Sequence, residues 1–391
     1  MRTDFEDRLR NLLQAAQQDG MDDSGIWELF EAANPEQKVA LFQSTLDAGV
    51  LDDDYAFEFL NLIRKDFNAE SQEDRTAYTQ LLDRFREQEP EIFRQSSHYY
   101  HRDLLNYAIV EGRWSDIPEL LEPFTQEHVL DDLLIVAAQL KYHGQVRPLI
   151  EAMQIARPKI RGSDRYIPGA DDEFDAVLME LILVDYLENS TAPRPDDPAL
   201  LEPTADLLRW KKGWLDWFIL AVSEPGAWSL EDLWEKSGKK KRTRHFDTLF
   251  VGFIAAQRRA GVPLTRGLMA WRKWAEVFHG PFVKFKRPQK SKKSRASPPS
   301  ALLIPRIASV RKMLDESFGF LGGDPYEVIA AMGLIQPYLE YLEDLGLIGT
   351  DEVRKTGEKI KPLVDQLDPL MGYFNVDPAA RANLTGAWSA W

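Results

Sequence analysis

A helix–glycine–helix pattern occurs twice between residues 103 and 158, and it restricts the folds open to this chain. The first copy passes through Gly112 and resumes at Pro118, and the second passes through Gly144 and resumes at Pro148. A glycine readily takes the left-handed conformation that ends a helix, and a proline is tolerated in the first turn of the next. Each copy therefore predicts two helices joined by a tight turn, at the spacing of about thirty residues that is typical of helical repeats.

With its paired helices and its offset of about thirty residues, this segment resembles the tetratricopeptide-like and related α-solenoid repeat families. The resemblance implies that Ala108 and Ala138 lie at helix crossings and that Gly112 and Gly144 form the turns between paired helices. The resemblance implies a right-handed array of helical hairpins whose stacked surfaces bind other proteins.

Helix boundaries elsewhere in the chain agree with an all-α fold. Asn34-Pro35-Glu36-Gln37 has a capping asparagine, a first-turn proline and a capping-box glutamine, and Gly49 suits the end of the same helix. Further helices are predicted over 172–188, as a buried central helix, over 200–222 with a break near Gly213, and from Asp324 to Leu345. Because no β-alternation of useful length occurs, we expect an α-solenoid plus a small C-terminal unit of three or four helices.

Composition excludes several classes of protein. The 391 residues include no cysteine, which excludes disulfides, thiol nucleophiles and cysteine-ligated metals. The first residues are charged where a signal peptide is apolar. The most apolar run, residues 174–187, contains three acids and is shorter than the roughly 20 residues that span a bilayer. We therefore expect a cytoplasmic protein that makes no use of a membrane.

Charge is distributed unevenly along the chain. Residues 236–295 hold eighteen Lys or Arg and two acids, a net charge of +16, whereas the other 331 residues carry −31. Residues 284–300 have seven positive charges, three prolines and almost no apolar side chains, which predicts a flexible linker. We expect a helical-repeat domain at 1–283 with a basic, aromatic-rich shoulder at 207–283, and a C-terminal helical domain at 301–391.

The shoulder and the linker supply the candidate binding residues. Their Lys and Arg density suits phosphate backbones, and Trp271 and Trp274 offer rings on which bases could stack. The same charges suit an acidic protein surface, foreign or the chain's own, and a plainly solvated charge run is the remaining alternative. The candidate set is Lys239, Lys240, Lys241, Arg242, Arg244, Trp271, Arg272, Lys273, Trp274, Lys284, Lys286, Arg287, Lys290, Lys292, Lys293 and Arg295.

Three further tryptophans share one helical face. Trp210, Trp214 and Trp217 follow each other at the i, i+4 and i+7 spacing. Aromatic stripes at this spacing usually pack in a core, so we favour packing between neighbouring helices. An aromatic groove for a partner peptide is the alternative.

Motifs that carry chemistry are missing from the sequence. There is no phosphate-binding glycine loop, no zincin histidine pair and no nucleophile elbow. His98 and His101 stand about one turn apart, but spacing places no third metal ligand beside them. The acid clusters 52–54 and 171–173 begin predicted helices, which favours capping over metal binding. We expect no catalytic site, no metal and no cofactor.

These observations favour a non-enzymatic scaffold or adaptor that binds another protein. The alternative is a nucleic-acid-binding protein that uses residues 236–295. In a third arrangement, residues 284–295 lie across the acidic repeats until a partner displaces them. The sequence predicts no oligomeric state.

Overall fold

The computed structural model describes most of the chain. The described residues are 2–19, 23–126, 129–161, 170–207, 212–223, 228–230, 239–284, 299–318, 324–374 and 376–389. The contacts divide them into two compact units, Met1–Pro123 and Phe124–Trp391. We call these the N-terminal unit and the C-terminal unit.

The N-terminal unit contains eight helices among its described residues. They are α1 Arg2–Asp19, α2 Asp23–Ala32, α3 Pro35–Ala48, α4 Asp53–Asp66, α5 Gln72–Gln88, α6 Pro90–Gln95, α7 Ser97–Glu111 and α8 Ile117–Leu121. A short 3-10 helix, Trp114–Asp116, precedes α8.

The described residues of the C-terminal unit form thirteen further helices. They are α9 Leu130–Tyr142, α10 Val146–Arg161, α11 Ala170–Asn189, α12 Pro198–Leu201, α13 Lys212–Ser223, α14 Lys239–Arg259, α15 Leu264–Lys284, α16 Ile307–Ser317, α17 Pro325–Gly333, α18 Ile335–Asp344, α19 Thr350–Asp365, α20 Leu367–Tyr373 and α21 Pro378–Ala387.

The all-α fold class is confirmed, because every regular element that the structure describes is a helix. Within each unit the helices contact one another as they do in a helical bundle or a helical repeat. None of the described helices is both long enough and apolar enough to cross a membrane.

Several predicted helix boundaries are confirmed in detail. The Asn34 side chain accepts a hydrogen bond from the Gln37 backbone, and the Gln37 side chain accepts one from the Asn34 backbone, which is a complete capping box. Gly112 and Gly144 have φ angles of 68° and 74°, so both turns of the predicted repeat use the left-handed conformation. These local features set helix ends and do not by themselves determine how the hairpins stack.

The helix predicted over residues 200–222 is interrupted before the predicted break, and Gly213 itself lies inside α13. Helix α12 ends at Leu201, residues 202–206 form turns, and helix α13 begins only at Lys212. Pro203 has no N–H to continue the helical ladder. The Thr204 hydroxyl instead donates to the carbonyl oxygen of Leu200 at 2.8 Å. Proline chemistry thus overrides the apolar periodicity here.

The helix predicted from Asp324 to Leu345 is two helices, α17 and α18. Pro337 has no N–H for the carbonyl of Gly333, and its ring crowds that group, so the ladder breaks at Leu334. Residues 301–391 consequently contain six described helices, more than the three or four expected.

The predicted division at residues 284–300 remains a prediction, because residues 285–298 lie outside the described part of the chain. The helices on either side of that segment belong to one compact unit. Within it, α15 packs against α16 and α17.

Aromatic side chains pack in the cores of both units. In the N-terminal unit the ring centroids of Phe30 and Phe59 lie 4.2 Å apart and those of Phe42 and Phe85 5.6 Å apart. In the C-terminal unit two indoles also donate hydrogen bonds to the end of α17: Trp274 to the Ala331 carbonyl at 3.2 Å, and Trp388 to the Met332 carbonyl at 3.1 Å. These two hydrogen bonds connect α15 and the end of α21 to α17.

Candidate functional site

Five of the sixteen candidate binding residues have described side chains: Arg244, Trp271, Arg272, Lys273 and Trp274. The backbones of 239–242 and of Lys284 are helical, but their side chains are not described, and residues 286–295 lie outside the described part of the chain. The polyanion-binding site therefore stays a prediction for those residues.

Arg272 and Lys273 take part in an ion network inside the C-terminal unit. Arg272 on α15 pairs with Glu180 on α11 and with Glu327 on α17. Lys273 lies 3.7 Å from Glu327, and Lys141 on α9 lies 2.6 Å from Glu180. The network thus connects four helices. Its two glutamates pair with Arg272 and Lys273, two of the cations that the sequence suggested for phosphate binding.

Burial and charge act against each other in this network. Burial alone would raise the pKa of Glu180, but the charges of Lys141 and Arg272 hold that pKa below its usual value. Asp324 lies at the edge of the same cluster, where burial and the neighbouring Glu327 raise its pKa to about 6. The arrangement holds Glu180 ionised in the interior.

The two candidate tryptophans lie inside the protein to different degrees. Trp274 is 2% exposed and packs against Phe250, Phe253 and Tyr338. Trp271 is half-buried and stacks on Phe218, with the ring centroids 5.9 Å apart. Neither indole presents a free stacking face in the way the sequence suggested.

Of the predicted tryptophan face, the structure describes the side chain of Trp217. Its ring lies 6.2 Å from that of Trp271, and the guanidinium of Arg244 lies 5.4 Å from its centroid. These contacts agree with packing of Trp217 between helices. The side chains of Trp210 and Trp214 are not described.

A second polar cluster joins α9 to the beginning of α21. Asp377, 1% exposed, accepts hydrogen bonds from His143 Nε2 at 3.0 Å, Tyr326 Oη at 3.0 Å and Gln139 Nε2 at 3.3 Å. Its other oxygen caps α21 by accepting from the Ala380 N–H at 2.9 Å.

Burial acts to raise the pKa of Asp377, but the hydrogen bond and charge of His143, with the Ala380 and Tyr326 donors, hold that pKa below its usual value. Both oxygens of the carboxylate thus take part in helix capping and helix packing.

An open groove runs along α10, α11 and α12. It comprises cavities of about 420 and 280 Å³ that share Gln154 and Pro203. Its acidic side chains are engaged locally: Asp185 pairs with Arg147, and Asp197 accepts from Tyr186 Oη at 2.8 Å. The groove holds no pairing of nucleophile and base.

The histidines noted in the sequence have other neighbours. The His98 ring lies 4.0 Å from that of Tyr99, and His101 Nδ1 lies 3.4 Å from the Leu120 carbonyl oxygen. Among the described residues, no group of three or more His, Cys, Asp or Glu side chains could hold a metal ion.

The surface of the N-terminal unit is strongly acidic, a feature that sequence reasoning did not localise. Its 123 residues include 27 acids and 12 bases, a net charge of −15, so the charges of the remaining residues cancel. Several of its arginines are already ion-paired within the unit, among them Arg75 with Glu111 and Arg84 with Asp47. Apart from Asp52, which caps α4, and Glu119, whose charge acts on His101, seven exposed acids have no ion pair with any described residue: Glu31, Glu36, Asp54, Glu58, Glu70, Glu73 and Glu87.

The excess could have been counted from the sequence once the unit boundary was known. Which acids remain unpaired depends on helix packing, which no short motif reveals.

No protein-family model, curated protein or solved structure matches this chain. Its function is therefore inferred from its own residues.

Proposed function

We propose that this protein is a non-enzymatic scaffold that binds another protein, and that the acidic surface of its N-terminal unit contacts a basic partner. The observation that carries the proposal is the −15 charge on residues 1–123, together with the seven exposed acids that no described cation neutralises. Complementary charge raises association rates and discriminates against wrong partners.

In this proposal the helical hairpins stack as an α-solenoid, whose surface the partner follows in the cytoplasm. The left-handed turns at Gly112 and Gly144 and the short connections between paired helices support that arrangement. The functional surface consists of side chains on packed helices, with no requirement for bond-making chemistry.

Quantitative affinity capture tests the proposal. Full-length tagged protein is incubated with extract of the source cells, with and without nuclease, and retained proteins are quantified by mass spectrometry. We expect a basic protein to be retained stoichiometrically and to resist nuclease. A variant with Glu31→Gln, Glu36→Gln, Glu73→Gln and Glu87→Gln should retain about tenfold less at low ionic strength, since long-range charge dominates capture.

A matched variant with Lys239, Lys240, Lys241 and Arg242 changed to Gln removes four charges of the opposite sign and should retain the partner fully. Absence of a stoichiometric protein partner, or retention that nuclease abolishes, would overturn the scaffold proposal.

Nucleic-acid binding is the second candidate, and the +16 charge of residues 236–295 supports it. It depends on the residues outside the ion network, because Arg272 and Lys273 pair with buried glutamates. It predicts binding of a DNA duplex that falls steeply with salt and is lost in the Lys239–Arg242 variant. Absent or salt-insensitive binding would reject it.

A further inference from the structure

Tyr99 is exposed at a position where its neighbours are buried. It lies in the first turn of α7, where Ser97, His98 and Tyr100 are all buried, yet its own side chain is 46% exposed. The ring centroid of Phe57 on α4 lies 4.7 Å from that of Tyr99, at an interplanar angle of 47°. The ring of Tyr99 is therefore held in place while much of it remains open to solvent.

The α4 side of this surface carries unpaired negative charge. Asp54, Phe57 and Glu58 are spaced i, i+3 and i+4, so they lie on one face of α4. Asp54 and Glu58 are exposed and have no ion pair with any described residue. Asp54 also favours the helix dipole from the first turn, but Glu58 lies one turn further along and has no such role.

Two contacts fix α4 against α7 and so fix this surface. The Ser96 hydroxyl, just before α7, donates to Asp53 Oδ1 at 2.9 Å. Further along the helices, Arg64 Nη1 lies 3.3 Å from Asp103 Oδ1. The aromatic pair lies between these two contacts along both helices, which means that little ordering is needed when a ligand binds.

One cation of the same unit lies nearby and must be considered. Arg102 follows Tyr99 by one turn of α7, and it is half-buried. Its charge acts on the buried Asp103, whose pKa it helps to lower against the larger effect of burial. Arg102 therefore reduces the negative charge of the surface but leaves Asp54 and Glu58 available.

We propose that Asp54, Phe57, Glu58 and Tyr99 form a binding surface for an arginine side chain on a basic segment of the partner protein. A guanidinium is planar, so it can stack on the exposed ring while it donates hydrogen bonds to the carboxylates. A lysine ammonium is more strongly hydrated and lacks the planar face. Phosphate-bearing ligands are repelled by the two acids and by the charge of the whole unit.

This inference rests on the proposed function and assigns it a contact point. The test measures fluorescence anisotropy of a labelled peptide with arginines spaced by Gly-Ser, mixed with the full-length protein, and repeats it with the arginines replaced by lysines. We expect the arginine peptide to bind severalfold more tightly than the lysine peptide. Tyr99→Leu and the pair Asp54→Asn/Glu58→Gln should each weaken it about five- to tenfold, whereas Tyr99→Phe should stay within twofold.

The matched control is Glu70→Gln/Glu73→Gln, which removes two exposed acids near the start of α5. It should weaken binding by less than twofold. Equal binding of both peptides, or an equal loss in the control pair and the Asp54/Glu58 pair, would overturn the arginine surface. The scaffold proposal would survive that result, because partner capture from extract tests it separately.

Discussion

The N-terminal unit carries 27 acids and 12 bases, whereas the remaining residues carry 36 of each. The excess acids of the N-terminal unit lie on its surface, over a core of stacked aromatic rings. In the C-terminal unit, opposite charges enter the interior, where Lys141 and Glu180 pair with side chains only 5% and 10% exposed.

The charged side chains have different roles in the two units. Removing ions from water costs several kcal/mol per ion, so a buried pair is retained only when each partner satisfies the other. The network of Lys141, Glu180, Arg272 and Glu327 thus specifies how four helices pack. Exposed acids of the N-terminal unit such as Glu58 and Glu73 have no ion pair with any described residue, so a partner can reach them.

We expect the largest loss of stability when one partner is removed from the buried ion network. Glu180→Gln leaves the Lys141 ammonium buried without its carboxylate, and we expect the C-terminal unit to lose about 3–5 kcal/mol of unfolding free energy. Urea unfolding of the full chain, followed by hydrogen exchange of α9 and α11, measures the loss.

Two control variants test whether that loss of stability is specific to the buried network. Lys312 and Glu316 on α16 lie 3.4 Å apart with side chains 74% and 60% exposed, so Glu316→Gln should cost less than about 1 kcal/mol. The double change Lys141→Met/Glu180→Leu should recover most of the stability, because it leaves no unpaired ion on α9 or α11. Equal effects of Glu180→Gln and Glu316→Gln would show that the network contributes nothing specific.

The pH dependence of stability sharpens the comparison, since one buried aspartate in each unit is shifted in the opposite direction. Burial raises the pKa of Asp103 in the N-terminal unit to about 6, from an ordinary value of 3.8. Its contribution to stability is therefore full below about pH 4 and is lost as pH rises through 6. The stability of Asp103→Asn relative to the wild type should therefore rise by up to about 3 kcal/mol between pH 4 and 7.

Asp377 in the C-terminal unit should behave in the reverse way. Its pKa is held below the ordinary value, so its contribution is present above about pH 4 and is lost as the pH falls further. Asp377→Asn should be less stable than the wild type at pH 7, with a gap that closes in acid. Urea unfolding at several pH values, followed by amide hydrogen exchange of α7 and α21, distinguishes the contribution of Asp103 from that of Asp377. Slopes of the same sign would contradict the assignment.

Helix existence and helix ends were largely predictable from local chemistry. The capping box at Asn34 and the left-handed glycines at positions 112 and 144 depend on residues close in sequence, and they formed as expected. The two helices whose extent was predicted wrongly are interrupted next to Pro203 and Pro337, which lack the N–H donor that continues a helix, whereas Gly213, where a break was predicted, lies inside α13.

The candidate surface could be predicted only in part. A count of charges finds the acidic region, but Tyr99 and Tyr100 are adjacent in sequence, and tertiary packing decides that Tyr99 is exposed while Tyr100, in contact with Phe85 on α5 and Phe93 on α6, is 2% exposed. In the same way, Arg272 and Lys273 look like surface cations until α11 and α17 bring Glu180 and Glu327 beside them. The exposure of Tyr99 and the pairing of Arg272 and Lys273 both depend on contacts between residues far apart in sequence, which short motifs do not predict.

Smaller losses of stability are expected from alanine substitutions at Gly49 and Gly144, two left-handed glycines at helix ends. Gly49 in the N-terminal unit has a φ of 64°, and an added Cβ would meet nothing within 4 Å, so Gly49→Ala should cost about 1 kcal/mol from backbone strain alone. At Gly144, with a φ of 74°, the Cβ would lie 2.9 Å from Pro263 Cβ, so Gly144→Ala should cost about 2–3 kcal/mol.

Thermal unfolding of the full chain with segment-resolved hydrogen exchange measures both changes. Gly261→Ala is the control in the C-terminal unit, since its φ of 88° is also left-handed and its Cβ would meet nothing within 4 Å. If Gly144→Ala costs no more than Gly261→Ala, the segment that carries Pro263 yields freely. Close packing of Pro263 against Gly144 would then contribute nothing to the stability of the C-terminal unit.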